Sequence, residues 1–291
     1  MILVAGDVLN VVKIVASKDE PRQSMALADI HQSTGGQAVR TAAWLTHSNT
    51  PTRVFAKVGA RDGSRHADAL RGYGIDPFLA VGRDVATGTI ASVTDSTLDA
   101  GRAVYGTPIA TEDFTSSDIP EDLFEGAQWL HLSGFWFYHP SSRAVARKLI
   151  EIAKEVGIGT SVDPGSNVLL RGASAAAFIS WTQGVDLVFP NLDETRALVG
   201  ASGPFIDFEA LGSAYPEAAV KLGSMGAAYV GRGAREQVAA ARVDAVDRAG
   251  VGDAFAAGFL SARLAGEKPE VCLAQGNALA QICLQSQGAL P

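Results

Sequence analysis

The sequence lacks the features of disulfide-rich, metal-thiolate and membrane-spanning proteins. Its 291 residues include two cysteines, Cys272 and Cys283, which lie in one apolar stretch and form no CxxC motif. Two thiols in a chain of this length exclude a disulfide framework and favour a reduced, cytoplasmic protein. No apolar run reaches the length of a membrane span, and residues 1–7 read as a first strand without the basic region of a signal peptide.

An excess of basic residues is also missing. Lys and Arg number 24 against 31 Asp and Glu, which gives a net charge of −7 and a pI near 5.2. We therefore expect neither nucleic acid nor an anionic membrane among the partners. Hydrophobic residues make up 47% of the chain, which is enough for a substantial core. Because no repeat or low-complexity linker divides the chain, we expect residues 1–291 to form a single domain.

Apolar strands and helices alternate along most of the chain. This alternation is typical of an α/β fold in which helices cover a mainly parallel sheet. Strands are predicted at residues 2–5, 53–59, 129–134, 159–163, 185–189, 218–222 and 227–230, and helices after Gly36, at 62–72 and 141–156, after Asp253, and at 269–285.

The alternation breaks between about residues 85 and 108. Residues 89–95 alternate in polarity and are rich in β-forming residues, and residues 102–105 are their candidate hairpin partner. With residues of about 10–17, this segment predicts a small antiparallel appendage. Its use is open: it would serve as a lid over a cleft, as a dimer contact, or as a hairpin without a separate role.

Residues 247–253, with the sequence DRAGVGD, are the strongest candidates for chemistry. Gly250, Val251 and Gly252 stand beside the expected start of an apolar helix, where free amides and the helix dipole attract phosphate. Asp253 supplies a carboxylate that can take a proton from an attacking hydroxyl. An anion cradle beside a carboxylate suits phosphoryl transfer to an alcohol. The alternative is a loop in which Asp253 only caps the helix.

Two further motifs are suited to a nucleotide and its metal. The stretch KLGSMG follows a strand and forms a glycine turn that can lie against a nucleotide, with Lys221, Gly223, Ser224 and Gly226 as candidate contacts. In a second motif, Asn191 and Glu194 stand three residues apart, a spacing that places both on one helix face. A carboxylate there is expected to hold Mg²⁺ through water.

Polar and aromatic residues after two strands are candidates for contact with a substrate. Asp7 and Asn10 follow the first strand, at the sheet edge where α/β proteins bind ligands. The alternative for Asp7 is a local turn cap. The aromatic run at 135–138 would wall a sugar or nucleoside site, although core packing is the favoured interpretation.

In this order, the motifs resemble those of the ribokinase-like (PfkB) carbohydrate kinases over nearly the whole chain. The resemblance implies a three-layer α/β/α fold with a mainly parallel central sheet and a small β-sheet lid that often forms a dimer contact. It implies ATP and Mg²⁺, with a monovalent cation such as K⁺ as an open addition. By resemblance, Asp253 is the catalytic base, residues 250–252 form the anion hole, and Asn191 and Glu194 serve Mg²⁺ and phosphate. Gly35 and Gly36 resemble the sugar-binding signature, and Asn277 stands where family members place a residue near adenine.

Three single residues and one short segment depart from the family pattern. Arg40 stands where the family usually has an asparagine that binds sugar hydroxyls. A fixed bidentate cation there suggests an acidic or phosphorylated sugar, and the alternative is an arginine that points away or pairs with an acid. Arg248 and Val251 replace the usual threonine and alanine, and residues 163–166 read DPGS in place of the Asp-x-Asn-x-Arg of some members.

The sequence therefore predicts an ATP-dependent kinase that phosphorylates a hydroxyl of a small carbohydrate. The alternatives are a nucleoside kinase of the same fold and a sugar-binding sensor that has lost catalysis. A dinucleotide-dependent oxidoreductase is disfavoured, because residues 6–9 after the first strand lack the second glycine of the dinucleotide fingerprint.

Overall fold

The structure, a computed structural model, describes residues 1–16, 28–94, 102–107, 114–200 and 207–291. The described residues form thirteen strands and nine α-helices. The strands are β1 (Ile2–Ala5), β2 (Leu9–Ala16), β3 (Ala28–Gly35), β4 (Thr52–Gly59), β5 (Asp76–Gly82), β6 (Thr89–Thr94), β7 (Arg102–Gly106), β8 (Trp129–Ser133), β9 (Gly159–Asp163), β10 (Leu187–Val188), β11 (Glu217–Lys221), β12 (Ala227–Gly231) and β13 (Ala234–Val238). The helices are α1 (Gln37–His47), α2 (Gly63–Gly72), α3 (Pro140–Glu155), α4 (Asn167–Ala173), α5 (Ala175–Trp181), α6 (Leu192–Val199), α7 (Phe208–Ala214), α8 (Val251–Leu264) and α9 (Pro269–Gln285).

A large sheet of nine strands forms the centre of the molecule. Its strand order is β13-β12-β11-β10-β9-β8-β1-β4-β5. Every pairing from β11 to β5 is parallel, and only β12 and β13 are added antiparallel at one edge. The carboxyl ends of β1, β8, β9, β10 and β11 therefore open on the same edge of the sheet, where α/β proteins bind ligands.

Two hydrophobic cores flank this sheet, one on each face. Successive residues of β1 alternate between them: Ile2 and Val4 pack with α1, α2, α8 and α9, and Leu3 and Ala5 pack with α3 to α7. A strand covered on both faces needs apolar residues at every position, which explains the unbroken apolar run of β1. The predicted three-layer α/β/α class is confirmed.

A separate four-stranded sheet, ordered β3-β2-β6-β7, carries the residues predicted as an appendage. Strand β6 pairs antiparallel with β7, as the sequence indicated. Strand β2 pairs parallel with β6, so the expectation of a purely antiparallel sheet is wrong. Strand β3 is a correction, because its polar residues were not expected to form a strand and it pairs antiparallel along the whole of β2. Residues 17, 95–101 and 108 of the predicted appendage lie outside the described residues.

Several elements of the main body also differ from the prediction. Strand β5 and helices α4, α5 and α7 were not predicted, and strand β13 extends the sheet beyond the predicted edge. The strand predicted at 185–189 is limited to Leu187–Val188. Within the described part of the chain, no helix combines the length and apolarity required to cross a bilayer.

Candidate active site

Polar residues from five parallel strands meet at the carboxyl edge of the large sheet. Asp7 follows β1, Ser133 ends β8, Asp163 ends β9, Asn191 follows β10 and Lys221 ends β11. A parallel bridge between Asn191 and Lys221 continues the sheet beyond β10. The parallel register thus brings together side chains that are far apart in sequence.

The amino end of α8 faces this edge and contains the predicted anion hole. Gly250 is the N-cap residue with φ 80°, and a Cβ at this position would lie 2.5 Å from the carbonyl oxygen of Ala289. Glycine is therefore required there both for the positive φ and for the close approach of the Ala289 carbonyl. The helix begins at Val251, and its first intrahelical bond runs from the Ala254 N–H to the Gly250 carbonyl. The preceding amides, including those of Val251 and Gly252, have no partner within the helix.

Asp253 lies inside the first turn of α8 rather than before it. No side chain caps this helix, so the interpretation of Asp253 as an N-cap is wrong. Its carboxylate is 7% exposed and accepts a hydrogen bond from Nε of Arg40, which comes from the first turns of α1 and is 26% exposed. The predicted base and the residue that departs from the family pattern therefore form an ion pair. Arg40 therefore pairs with an acid in this structure, which was the alternative to its binding an acidic or phosphorylated sugar.

Burial and the neighbouring opposite charges have opposing effects on the pKa of Asp253 and on that of Arg40. Burial raises the pKa of Asp253, and Asp163 adds to the effect, although Arg40 and Lys221 oppose it. Burial alone would lower the pKa of Arg40, but Asp253, Asp7 and Asp163 together raise it. Arg40 thus stays a cation among carboxylates, and Asp253 is a stronger base than an exposed aspartate.

A second ion pair lies beside the first. Lys221 donates from Nζ to Oδ2 of Asp163 at 2.6 Å, and the backbone N–H of Gly165 donates to the other oxygen of Asp163 at 3.0 Å. The Lys221 ammonium lies 3.3 Å from the point where a Cβ at Gly252 would stand. Lys221 was predicted as part of the nucleotide turn, and its ammonium lies against the anion-hole loop.

Asn191 and Glu194 form a capping box at the start of α6. The Asn191 N–H donates to Oε2 of Glu194 at 2.8 Å, and the Glu194 N–H donates to Oδ1 of Asn191 at 2.9 Å. This corrects the expectation that both lie on one helix face, because Asn191 is the residue before the helix. Glu194 is buried, and its pKa is raised to about 7 by burial and by Asp163, against the effects of Lys221 and the Asn191 amide.

The predicted nucleotide turn meets β13 and α9. Gly223 and Ser224 lie in a short 3-10 turn, and Gly226 follows it with φ 94°. A Cβ at Gly226 would lie 2.0 Å from the carbonyl oxygen of Val238. Asn277 of α9 donates from Nδ2 to the same carbonyl at 3.1 Å. The turn and Asn277 therefore converge on one backbone group.

Asp7 and Gly36 lie together at the amino end of α1. The Gln37 N–H donates to Oδ2 of Asp7 at 2.8 Å, and the Ser133 hydroxyl donates to Oδ1 at 2.7 Å. Gly36 is the N-cap of α1 and follows Gly35, the last residue of β3. Asp7 therefore caps a distant helix rather than its own turn, and it fixes the position of the helix that carries Arg40.

Asn10 is held by another group of residues, at the junction of the two sheets. Its Nδ2 donates to Oδ2 of Asp62 at 2.8 Å, and Arg65 donates to its Oδ1. These three residues line a cavity of about 320 Å³ with residues of β2, β3 and β6. The contacts recorded for Asn10 tie it to this cavity and not to the Arg40–Asp253 pair.

The sequence of the protein matches one family over its whole length. Residues 1–291 match the profile of the pfkB family carbohydrate kinases. An ATP-dependent ribose-1-phosphate kinase from Halopiger xanaduensis is 31% identical over 89% of this chain and 82% of its own. A nucleoside kinase from Methanothermobacter thermautotrophicus is 26% identical over 92% of this chain and 84% of its own.

The chain belongs to the pfkB family of carbohydrate kinases. This PfkB protein is therefore a phosphotransferase, as predicted. Solved structures agree on the fold. Adenosine kinase from Sinorhizobium meliloti superposes with a TM-score of 0.86 at 22% identity, covering 100% of this chain and 95% of its own. A putative ribokinase II from E. coli, in complex with ATP and Mg²⁺, superposes with a TM-score of 0.84 at 21% identity, covering 99% and 94%.

Two polar residues of this PfkB kinase site were missed as site residues. Asp163 was noted as the end of a strand and as part of the departing segment 163–166, yet its carboxylate holds Lys221. Ser133, which bonds Asp7, was predicted only as part of the strand at 129–134. Their common signal is a polar residue at the last position of a buried parallel strand. Arg248, which departs from the family pattern, is exposed.

The residues of this PfkB site fit a magnesium ion that keeps most of its water. The described residues contain no cluster of three or more His, Cys, Asp or Glu side chains able to enclose a metal. Glu194 offers a buried carboxylate near Asp163 and Asp253, although one of its oxygens is engaged in the capping box. Mg²⁺ takes few protein ligands and binds largely through water and phosphate oxygens, so this donor set suits it.

Proposed function

We propose that the protein transfers the γ-phosphate of ATP to a hydroxyl of a small carbohydrate, with Asp253 as the base. The observation that carries this proposal is the position of Asp253. Its carboxylate lies in the first turn of α8, directly beyond the amides of Val251 and Gly252. One side chain can therefore accept a proton where the helix end attracts phosphate.

In the proposed reaction, Asp253 takes the proton of the acceptor hydroxyl as its oxygen bonds to the γ-phosphorus of ATP. The bond from that phosphorus to the β,γ-bridging oxygen breaks, and ADP leaves with the electron pair. Residues 250–252 stabilise the charge on the transferred group through their amides. The raised pKa of Asp253 supports its role, because a base is most effective when its pKa approaches the working pH.

Lys221 and the glycine turn are the proposed nucleotide contacts. The ammonium of Lys221 stands beside Gly252 and would meet a phosphate held by that loop. Gly223, Ser224 and Gly226 would line the nucleotide, and Asn277 would support the turn through Val238. Magnesium bound near Glu194 and Asn191 would neutralise phosphate charge. Asp7, Gly35 and Gly36 are the proposed acceptor side, where they adjoin Arg40 at the start of α1.

A nucleoside is the second candidate acceptor, supported by the similarity to a nucleoside kinase over 92% of this chain. The aromatic run at 135–138 gives this candidate little support. Trp136 and Phe137 are buried, and Trp136 packs edge-on against Phe55 and Phe114. These two rings therefore pack in the hydrophobic core.

We propose residues 1–291 as one kinase domain, with the small sheet as a lid and as a homodimer contact. A monovalent cation such as K⁺ is a further proposed ligand. A cytoplasmic location is supported by Cys272 and Cys283, which are buried free thiols.

A panel of acceptors tests the proposed function. ADP release with Mg-ATP would be measured with neutral sugars, sugar acids, sugar phosphates and nucleosides. We expect turnover on one carbohydrate class. Turnover confined to nucleosides would favour the second candidate. ATP binding without turnover on any class would favour a sensor that has lost catalysis, and a failure to bind ATP would contradict the proposal.

A further inference from the structure

The ion pair between Arg40 and Asp253 presents a problem for the proposed reaction. The base must lie within about 2.6–3.2 Å of the hydroxyl whose proton it takes. One oxygen of the Asp253 carboxylate is occupied by the guanidinium, which also opposes the rise in the Asp253 pKa that burial causes. The structure therefore shows the proposed base engaged by a cation at the place where the acceptor must bind.

Two further carboxylates near Arg40 are already engaged by other donors. Asp7 and Asp163 both act on Arg40 electrostatically. However, both oxygens of Asp7 accept hydrogen bonds, from Gln37 and Ser133, and both oxygens of Asp163 accept hydrogen bonds, from Lys221 and Gly165. If Arg40 leaves Asp253, its charge needs a new partner, because an unpaired charge in a partly buried site is strongly destabilising.

We propose, on the basis of the proposed function, that this partner is an anionic group of the acceptor, a carboxylate or a phosphate, and that its binding to Arg40 frees Asp253. Arg40 is then the specificity-determining residue. A guanidinium binds either oxyanion through two parallel hydrogen bonds. The exchange keeps Arg40 paired throughout and leaves Asp253 free for the hydroxyl proton. A neutral sugar offers no replacement charge, so Arg40 stays paired with Asp253 when a neutral sugar binds.

The location of Arg40 favours the acceptor over ATP as the source of this anion. Arg40 stands in the first turns of α1, whose amino end is fixed by Asp7 and Gly36. The predicted nucleotide turn follows β11, and Gly226 of this turn and Asn277 of α9 meet at the carbonyl of Val238 in β13. The Arg40 side chain is 26% exposed, so an anion of the acceptor can reach its guanidinium.

The test compares neutral, carboxylate and phosphate forms of the same sugars, namely ribose with ribonate and ribose 1-phosphate, and glucose with gluconate and glucose 6-phosphate. ADP release would be measured for the wild type, Arg40→Gln and Arg40→Lys. We expect the wild type to prefer one anionic form by at least about a hundredfold in kcat/KM. In Arg40→Gln the ratio of kcat/KM for the anion to kcat/KM for the neutral sugar should fall at least about tenfold, and Arg40→Lys should keep part of the preference.

A binding measurement on Asp253→Asn provides a readout that does not depend on turnover or on the folding of the Arg40 variants. The amide keeps the shape of Asp253 and removes its charge, so an anionic acceptor competes with a weaker partner. We expect Asp253→Asn to bind the preferred anion about tenfold more tightly than the wild type by calorimetry. Binding of the neutral sugar should not tighten.

The failures of the two proposals are distinguishable. Equal kcat/KM of the wild type for neutral and anionic forms, an anion preference that Arg40→Gln leaves intact, or equal binding of neutral and anionic forms to Asp253→Asn would overturn the assignment of Arg40 alone. A protein that neither binds ATP nor releases ADP with any acceptor would contradict the proposed kinase function itself. Preference for the carboxylate over the phosphate, or the reverse, would identify the anion.

Discussion

Lys221 and Asp163 join two strands that are not neighbours in the sheet. The Lys221 Nζ lies 2.6 Å from Asp163 Oδ2, and the strands that carry them, β11 and β9, are separated by β10. The ion pair therefore spans the carboxyl end of β10, just below the anion-hole loop. It fixes the ammonium beside Gly252, where the proposed function requires a positive charge.

Breaking this ion pair should lower the free energy of unfolding more than breaking an exposed ion pair does. Lys221 and Asp163 are 13% and 4% exposed. Lys221→Met or Asp163→Asn alone would leave a buried charge without its partner. We expect each to lower the free energy of unfolding by about 3–5 kcal/mol, measured by urea denaturation.

The double variant and an exposed pair are the controls for this prediction. Lys221→Met combined with Asp163→Asn should recover part of the loss, because no unpaired charge remains. Lys148 and Glu151 form a pair in which the side chains are 43% and 55% exposed, and Lys148→Met should cost less than about 1 kcal/mol. Equal losses at the buried and exposed pairs would contradict this account.

Gly226 should tolerate no side chain, for a reason beyond its backbone angle. A Cβ there would stand 2.0 Å from the Val238 carbonyl oxygen, at φ 94°. Gly233 is a matched control with φ 75°, where an added Cβ meets nothing within 4 Å. We expect Gly233→Ala to cost about 1–2 kcal/mol through the left-handed backbone alone. Gly226→Ala should cost more and weaken ATP binding, and similar melting temperatures for the two variants would refute the clash.

Glu194 should make the stability of the protein depend on pH. Its pKa is raised from 4.5 to about 7, so between these values the folded state holds a proton that the unfolded state releases. Stability from this group therefore falls as pH rises through the window, and the loss is complete above about pH 7. Glu194→Gln stays neutral and can keep the capping box.

We expect Glu194→Gln to gain stability relative to the wild type as the pH rises from 5 to 8. Urea denaturation of both proteins at the two pH values measures this gain. Glu209, an exposed acid in the first turn of α7, provides the comparison, and Glu209→Gln should show no such gain. A difference between Glu194→Gln and wild type that is the same at pH 5 and pH 8 would show that Glu194 titrates normally in the folded protein.

The strands and helices that could be predicted are those whose buried positions show in the sequence as a regular apolar pattern. Strand β9 and helix α9 have the predicted bounds, because each has a regular apolar pattern and clear ends. Strand β3 (ADIHQSTG) is mostly exposed, so nothing in its polarity marks a strand, and its pairing with β2 is a tertiary effect. Strand β5 begins Asp-Pro at the sheet edge, which masked its apolar centre.

The site could be predicted as a set of motifs but not as a set of contacts. Residues 250–253 were identified because glycine and aspartate beside a helix have a direct chemical meaning. The contact between Arg40 and Asp253 joins residues 213 positions apart. It depends on how α1 packs against α8, and neither sequence position alone contains that information. The same holds for Asp163, whose importance comes from Lys221 two strands away.

The removal of the proposed base tests the central claim most directly. ADP release with Mg-ATP and the best acceptor would be measured for the wild type, Asp253→Asn and the control Asp68→Asn, whose carboxylate is 76% exposed on α2. We predict that Asp253→Asn lowers kcat by about 10²–10⁴-fold while ATP still binds, and that Asp68→Asn behaves as the wild type. Full turnover by Asp253→Asn would contradict the assignment of this residue as the base.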